Sequence, residues 1–472
     1  MGTKIGIFLR VCLKETRKLL VSFFQDMNYH FIAIGGAVMH NLALELQYTN
    51  HTVTGSDDNI FEPAKSRLFN AGLLPDSNGW YPNKITKNID GVIVGMHAKA
   101  DNPELLHALA LEIPTYSFPE FIYHHSQNKT RLAMAGSHGK TTCTGMLMHI
   151  LKTLEIEFDF LVGSQLPGFE RMVKLSDAPI MVIEADEYLT SPLDSRPKFV
   201  HYKAHVAMIT GIAWDHVNVF PTEEIYHKQF SLLINTLQLD GSLFWFEGDA
   251  ALKEIVSASN YPNQESYKEP QYENILKGSL VKVDGHSFSL PFYGKHNLQN
   301  ASGVVKMAET FGISALESWK ALQTFPGTAK RLEQVYSSPN LSIIRDFAHA
   351  PSKVEASVLA VREQFSTHHF IAVFEVHTYS SLDSEFMARY NGSLDPADEV
   401  IILFDPHVFT QKNMEIPSKE TVEMRFGKGM AMSDISTLKS AVIAGIQSHT
   451  PTVLLLMSSG NLGGLDPKEF QC

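Results

Sequence analysis

Short apolar runs recur along this chain, several closed by a glycine or a carboxylate and followed by a segment with apolar residues at helical spacing. From His30 the pattern predicts a strand ("FIAI"), a turn at Gly35-Gly36, a helix ("MHNLALELQ") and a second strand ("HTVTGSD") that closes on Asp57. "GVIVG", "IPTY" and the helical "FPEFIYHHS" carry the alternation to about residue 125, which predicts a small parallel sheet. The polar "SQNKT" reads as a linker. A second start follows with the strand "RLAMA", the helix "TTCTGMLMHILKTL", and the strands "PIMVIEAD" and "AHVAMITGI", apolar throughout as in strands buried on both faces. Residues 242–293 read differently, as short alternating pieces such as "SLVKVDGHSFSL" expected to form an antiparallel edge or hairpin. After "GKHNLQNA" a helical stretch runs to about 324, and "FPG" marks a boundary. The strands "LSIIRDFA", "FIAVFEV", "EVIILF" and "PTVLLLMS" then build a third α/β unit. The expectation is an α/β chain of three domains, 27–125, 126–324 and 325–472, preceded by an extension over residues 1–26.

Composition narrows the classes of function. At 472 residues, 44% hydrophobic and 19% charged, the chain reads as a soluble multidomain protein, with no apolar run long enough for a membrane span. Its 51 acidic residues against 39 Lys and Arg give a net charge of -12, which argues against nucleic acid as partner. Cys12, Cys143 and Cys472 are too few and too scattered for a disulfide framework, which fits the reducing cytoplasm. The first 26 residues mix basic and apolar positions without the core of a secretory signal; they read as an amphipathic helix or as the product of an upstream start codon before Met27.

The candidate chemistry starts at "AGSHGKTTCTG", residues 135–145. Gly136 and Gly139 allow a tight turn into a helix N-terminus, where backbone amides and the helix dipole favour anions. Lys140 can reach β- and γ-phosphates and the Thr141 hydroxyl can sit on Mg²⁺. Met134 stands where the usual motif has its first glycine, so a Gly-Ser turn that merely caps a helix remains open on this motif alone. A magnesium nucleotide also needs a carboxylate at a neighbouring strand end, and "MVIEADE" offers Glu184, Asp186 and Glu187, which a solvated rim would also explain. Asp215 and His216 end a third strand on the edge where α/β sheets bind ligands.

Taken in order, these residues resemble the Mur ligases, ATP-dependent amide-forming enzymes of bacterial peptidoglycan metabolism, over nearly the whole chain from residue 28. Their phosphate loop is short and matches "GSHGKTT", so Met134 is no defect. The resemblance implies Rossmann-like first and third domains around a central P-loop ATPase-type domain. It implies ATP contacts at Gly136, Ser137, His138, Gly139, Lys140, Thr141 and Thr142, Mg²⁺ on Thr141 and Glu184 ("EADEY"), and a second metal position at His216 ("WDH"). "GKHNLQN" resembles the purine block and would put His296, Asn297 and Asn300 near adenine; "KRLE" would bring Arg331 to the phosphates. "RDFAHAP" would carry Asp346 to the ribose and His349 to the domain interface on the peptide side. Gly35, Gly36, Ser56 and Asp57 are assigned to a UDP-sugar, with Ala33 and Val38 departing from the glycine fingerprint of the alanine-adding members.

Within the family, "DSRPKFVHYKA" and "LLLMSSGNLGGL" resemble the murein peptide ligases. That implies joining UDP-N-acetylmuramate to the tripeptide L-alanyl-γ-D-glutamyl-meso-diaminopimelate in peptidoglycan recycling, through an acyl phosphate, by a monomer or weak homodimer. Lys140, Glu184 and His216 would be catalytic. "EVHTYSSLD" lacks the recognition arginine of both neighbouring subfamilies and places His377, Thr378 and Tyr379 there instead, so His377 and Tyr379 are expected at the peptide. Ser458, Ser459 and Asn461 either help bind it or form a simple turn. UDP-N-acetylmuramate:L-alanine ligation is the alternative chemistry. A folylpolyglutamate-type ligase, disfavoured by the extra first domain, and an inactive nucleotide-binding regulator are the rivals of other kinds.

Overall fold

The computed structural model describes residues 26–471, so the N-terminal stretch lies outside the described residues except for Asp26. Its contacts divide the chain into two compact units. The first comprises residues up to Ile212 with His227–Tyr267 and Gly303–Ala321; the second comprises Ala213–Tyr226, Lys268–Ser302 and everything from Leu322.

The first unit holds two principal sheets. Strands β1 (Asn28–Ile32), β2 (Thr52–Ser56), β3 (Gly91–Val94) and β4 (Thr115–Ser117) form a parallel sheet of order β2-β1-β3-β4. The helix Ala37–Tyr48 links β1 to β2, as the sequence pattern requires. The larger sheet uses β5 (Thr130–Ala135), β6 (Asp159–Leu161), β7 (Val173–Lys174), β8 (Ile180–Glu184), β11 (Val206–Ile209), β12 (Ser242–Phe246) and β13 (Gln264–Tyr267). A small hairpin, β9 (Leu189–Ser191) with β10 (Asp194–Pro197), stands apart between β8 and β11 in the chain. The large sheet runs β13-β12-β11-β5-β8-β6-β7, parallel except for β7. Its centre, β5 with β8 and β11, is made of the most apolar runs, because helices cover both faces of such a sheet. The crossover from β5 leaves to one side and the chain later returns to place β11 on the other, so the loops after β5, β8 and β11 share the edge where such sheets bind ligands.

The expectation for 242–293 needs correction. β12 and β13, with the helix Ala250–Ser259 between them, extend the large parallel sheet; only β14 (Gln271–Ile275), β15 (Gly278–Val283) and β16 (His286–Leu290) form the antiparallel sheet. β13 reads "QESY" and is an edge strand with mostly exposed side chains, so it gives no apolar signal.

The second unit holds that small sheet and a six-stranded one. β17 (Glu333–Ser337), β18 (Leu341–Asp346), β19 (His369–Val376), β20 (Glu399–Phe404), β21 (Met430–Met432) and β22 (Thr452–Met457) are ordered β17-β18-β22-β19-β20-β21, with β17 alone antiparallel. Apolar cores on both faces, Val354, Phe374 and Tyr390 on one and Leu438, Val442 and Leu454 on the other, hold this sheet between its helices.

Candidate active site

In the first unit the loop after β5 is fixed from beside it. Ser137 N–H donates to Gly211 O at 2.9 Å, and the Thr210 hydroxyl donates to Ala135 O and His138 O. Gly136 has φ +128 and faces Thr210, so this turn needs glycine. Gly139, at φ 80, opens the helix Lys140–Thr153 with no side chain capping it, and the N-terminus of a helix favours anions.

Three charged or polar contacts meet at the ends of β5 and β8. Lys140 Nζ donates to Glu187 Oε2 at 2.6 Å and to Gly136 O at 2.7 Å. Thr141 Oγ1 donates to Glu184 Oε1 at 2.7 Å, and Gly163 N–H binds the other oxygen of that carboxylate at 2.8 Å. Lys198 Nζ donates to Asp186 Oδ2 at 2.8 Å. Burial alone would lower the Lys140 pKa, but the carboxylates of Glu187, Asp186 and Glu184 outweigh it and hold the ammonium above its ordinary range. The sequence offered Glu187 as a carboxylate for the magnesium nucleotide and gave Lys198 no role, whereas in the structure Glu187 holds Lys140 and Lys198 holds Asp186. Glu187 follows Glu184 by one short turn, whereas Lys198 arrives through the β9–β10 hairpin, which no local pattern announced.

At the first sheet, Gly36 caps the helix Ala37–Tyr48 without a side-chain bond. Asp57 folds back on this turn: its Oδ2 accepts from Gly35 N–H at 2.7 Å and its Oδ1 from Asn59 N–H at 3.2 Å. The carboxylate assigned to the UDP-sugar thus braces the glycine turn, and burial raises its pKa. Ala33, at the first place of the degraded fingerprint, has φ 64. A cleft of about 410 Å³ runs from Ala33 and Gly36 past Met39, Val94, Phe118 and Tyr202 to Lys140, Glu184, Asp186 and Lys198.

The second unit gathers two groups. Asp215 accepts from Lys353 Nζ at 2.8 Å and, at its other oxygen, from the backbone N–H of His216 at 2.7 Å. His349 lies 3.2 Å from Lys353 Nζ and donates from Nδ1 to Phe347 O at 2.8 Å. Burial would raise the Asp215 pKa, but Lys353, His349 and His216 pull it well below the carboxylate range. The same burial, with Lys353, keeps His349 below the ordinary imidazole range. His349, expected at the peptide, lies within this cluster with its side chain 12% exposed. The second group is His296, Arg331 and Asp346. Burial lowers the His296 pKa, with Asp346 opposing and Arg331 adding to the shift, while the Arg331 guanidinium lies 5.0 Å over the Phe347 ring. Asp346 accepts from Leu332 N–H at 2.6 Å, Ala348 N–H at 2.8 Å and Ser357 Oγ at 2.9 Å, so it braces the turn that carries Arg331. Asn297 Nδ2 donates to Tyr293 O, and Asn300 is buried on the same helix. His216, Lys330 and Leu332 have φ of 60, 56 and 46, left-handed backbone that costs a non-glycine residue about 1–2 kcal/mol.

Elsewhere in this unit, Tyr379 is 45% exposed beneath Lys412 Nζ, which donates to His377 O. Ser458 does not face outward as a free ligand group: its hydroxyl donates to buried Glu375, which also accepts from Leu462 and Gly463 N–H. The glycine-rich segment after β22 is a turn anchored by Glu375.

Comparison with known proteins adds independent support. Residues 28–130 match the Mur ligase family, catalytic domain, and residues 134–308 match the Mur ligase middle domain. The chain is 29% identical over 457 residues to the UDP-N-acetylmuramate--L-alanyl-gamma-D-glutamyl-meso-2,6-diaminoheptandioate ligase of Escherichia coli, covering 94% of this chain and 97% of the relative. It is 28% identical to a UDP-N-acetylmuramate--L-alanine ligase of Streptococcus agalactiae, covering 92% and 95%. The crystal structure of a murein peptide ligase from Psychrobacter arcticus shares the fold with a TM-score of 0.61 at 22% identity, covering 94% and 98%. A parallel sheet with a short phosphate loop at its centre and carboxylates on the adjoining strand end defines a phosphate-loop enzyme. Within that class the chain belongs to the Mur ligase family, whose members are ATP-dependent ligases.

Proposed function

We propose that this enzyme joins the lactyl carboxylate of UDP-N-acetylmuramate to the amino group of L-alanyl-γ-D-glutamyl-meso-diaminopimelate, converting ATP to ADP and phosphate. The observation that carries this reading is the cleft of the first unit. One end is an uncapped helix N-terminus at Gly36, suited to a diphosphate; the other is the Lys140–Glu184–Asp186–Lys198 group; apolar side chains lie between. A nucleotide-linked sugar carrying an N-acetyl group and a carboxylate matches that sequence of polar, apolar and polar surface. The relatives in Escherichia coli and Streptococcus agalactiae, whose names share UDP-N-acetylmuramate, support the same substrate.

A carboxylate needs a better leaving group before an amine can displace it. The lactyl oxygen attacks the γ-phosphorus of ATP, ADP departs, and an acyl phosphate results. The peptide amine then attacks the acyl carbon, phosphate leaves, and the amine's proton passes to solvent. Lys140 offsets charge on the transferring phosphoryl group, and the amides of Gly139 to Thr142 hold the phosphates. Thr141 Oγ1 and Glu184, oxygen donors in contact, fit a hard cation and would hold Mg²⁺, which would supply further charge stabilisation. His216 is proposed at a second metal position, and His296, Asn297, Asn300, Arg331 and Asp346 form the proposed adenosine side. His377 and Tyr379, with Lys412 beside them, are the proposed peptide contacts, and His349 acts on that side through its cluster. Phosphate release with UDP-N-acetylmuramate, ATP and Mg²⁺ tests the reading when free L-alanine and the tripeptide are compared at equal concentration. Preference for the tripeptide is expected; preference for L-alanine would assign the enzyme to the alanine-adding reaction.

A further inference from the structure

We infer that Lys198 is the residue that takes the sugar's carboxylate, and so sets which UDP-sugars the cleft accepts; this rests on the function proposed above. Two lysines line the cleft, Lys140 and Lys198. Lys140 is bound to its own loop through Gly136 O and to Glu187, in the position from which a phosphate-loop lysine reaches phosphates. A bound acid brings a second anionic group to the same end of the cleft, and an anion leaving water needs a cation or several donors in return. Lys198 supplies that cation.

Its placement is built. The β9–β10 hairpin is closed by Thr190 Oγ1 on Arg196 O at 2.9 Å, and Lys198 N–H donates to Tyr188 O at 2.9 Å. Phe199 and Tyr202, both buried, fasten the following turn into the core, while the Lys198 side chain keeps 20% of its surface and lines the cleft. Its partner Asp186 is 34% exposed, so this pair can exchange with a ligand, whereas Glu187 beside Lys140 is wholly buried. The stem of Lys198 also passes Tyr188, with Nζ 5.6 Å from the ring centre. An incoming carboxylate would replace Asp186 on Nζ with no need to move the backbone.

The test is titration calorimetry of the whole protein with two ligands, UDP-N-acetylmuramate and UDP-N-acetylglucosamine, which differ by the lactyl carboxylate. Lys198→Met is expected to weaken UDP-N-acetylmuramate at least tenfold while leaving UDP-N-acetylglucosamine within twofold, and Lys198→Arg to restore at least half of that loss on a logarithmic scale. In turnover, KM for the acid should rise in Lys198→Met while KM for ATP stays within twofold. Equal weakening of both sugars would show that Lys198 only shapes the cleft, and unchanged binding of both would show that it contacts neither; each overturns the inference. Failure of the unaltered protein to bind UDP-N-acetylmuramate would instead overturn the proposed function, and this inference with it. Melting temperature of each variant identifies unfolding, and Lys198→Gln, which keeps length and polarity without charge, provides the same comparison should Lys198→Met not fold.

Discussion

Gly136→Ala offers a quantitative test of the loop's geometry. The residue sits at φ +128, a region essentially restricted to glycine, which costs another residue about 1–3 kcal/mol. The added Cβ would also lie well inside 3.0 Å of Thr210 Oγ1 and 3.0 Å from Gly211 O and Thr210 N. If the loop keeps its shape, the backbone term appears as lost stability, with more from the displaced hydroxyl, whose hydrogen bonds contribute about 1 kcal/mol each. If the loop relaxes, the same energy appears in catalysis, where about 1–3 kcal/mol corresponds to roughly 5- to 150-fold in kcat/KM for ATP. Urea denaturation and phosphate release, measured together, capture both. Adding Thr210→Ala should return only part of the loss, because the backbone angle and the two backbone contacts remain. Gly285→Ala is the control: Gly285 has φ +77 and open space around its Cβ, so it should lose about 1 kcal/mol of stability with turnover unchanged. Wild-type stability and turnover in Gly136→Ala, or full recovery on adding Thr210→Ala, would refute the reasoning.

Lys140→Met should lower kcat roughly 10²–10³-fold, and it should also destabilise by about 3 kcal/mol because Glu187 loses its lysine while wholly buried; Lys140→Met with Glu187→Met should regain stability but not activity. Asp159→Asn should cost about 3–5 kcal/mol in urea denaturation, since Asp159 is buried against Lys129 at 2.6 Å and also accepts from Ser176; pairing Asp159→Leu with Lys129→Met should lose far less than the two single changes together. Burial, aided by Lys129, lowers the His125 pKa from 6.5 to about 3, so between those values the unfolded chain binds a proton that the folded chain does not, and stability rises with pH. Acidification from pH 7 to 5 should therefore remove about 1–2 kcal/mol through this residue, and His125→Phe should flatten that part of the profile.

The sheets were legible where strands are buried on both faces. β5, β8, β19 and β22 are largely apolar runs, and the glycine after β5 and the carboxylate ending β8 announced the ligand edge. Edge elements were not: β13 is polar, β7 is two residues long, and the β9–β10 hairpin carries no apolar alternation. At the site, Lys140, Thr141 and Glu184 were found because their spacing is local. The partners of the acidic residues were not readable. By position the sequence assigns Asp57 to the UDP-sugar and Asp346 to a ribose; that both also brace turns through backbone amides depends on which N–H groups the folded chain leaves nearby. Lys353 on Asp215, 138 residues away, and Glu375 under the turn after β22 depend on long-range packing that no short motif encodes.

The left-handed backbone at Ala33, His216, Lys330 and Leu332 has a consequence for laboratory evolution of this enzyme. Glycine at any of these positions relieves local strain, so a selection for heat resistance alone would enrich glycines there. The same four residues hold the sugar turn, the histidine proposed for a second metal position and the arginine turn in fixed directions. Survivors of such a selection would be sturdier proteins with slacker sites, and the two traits would have to be screened together to be improved together.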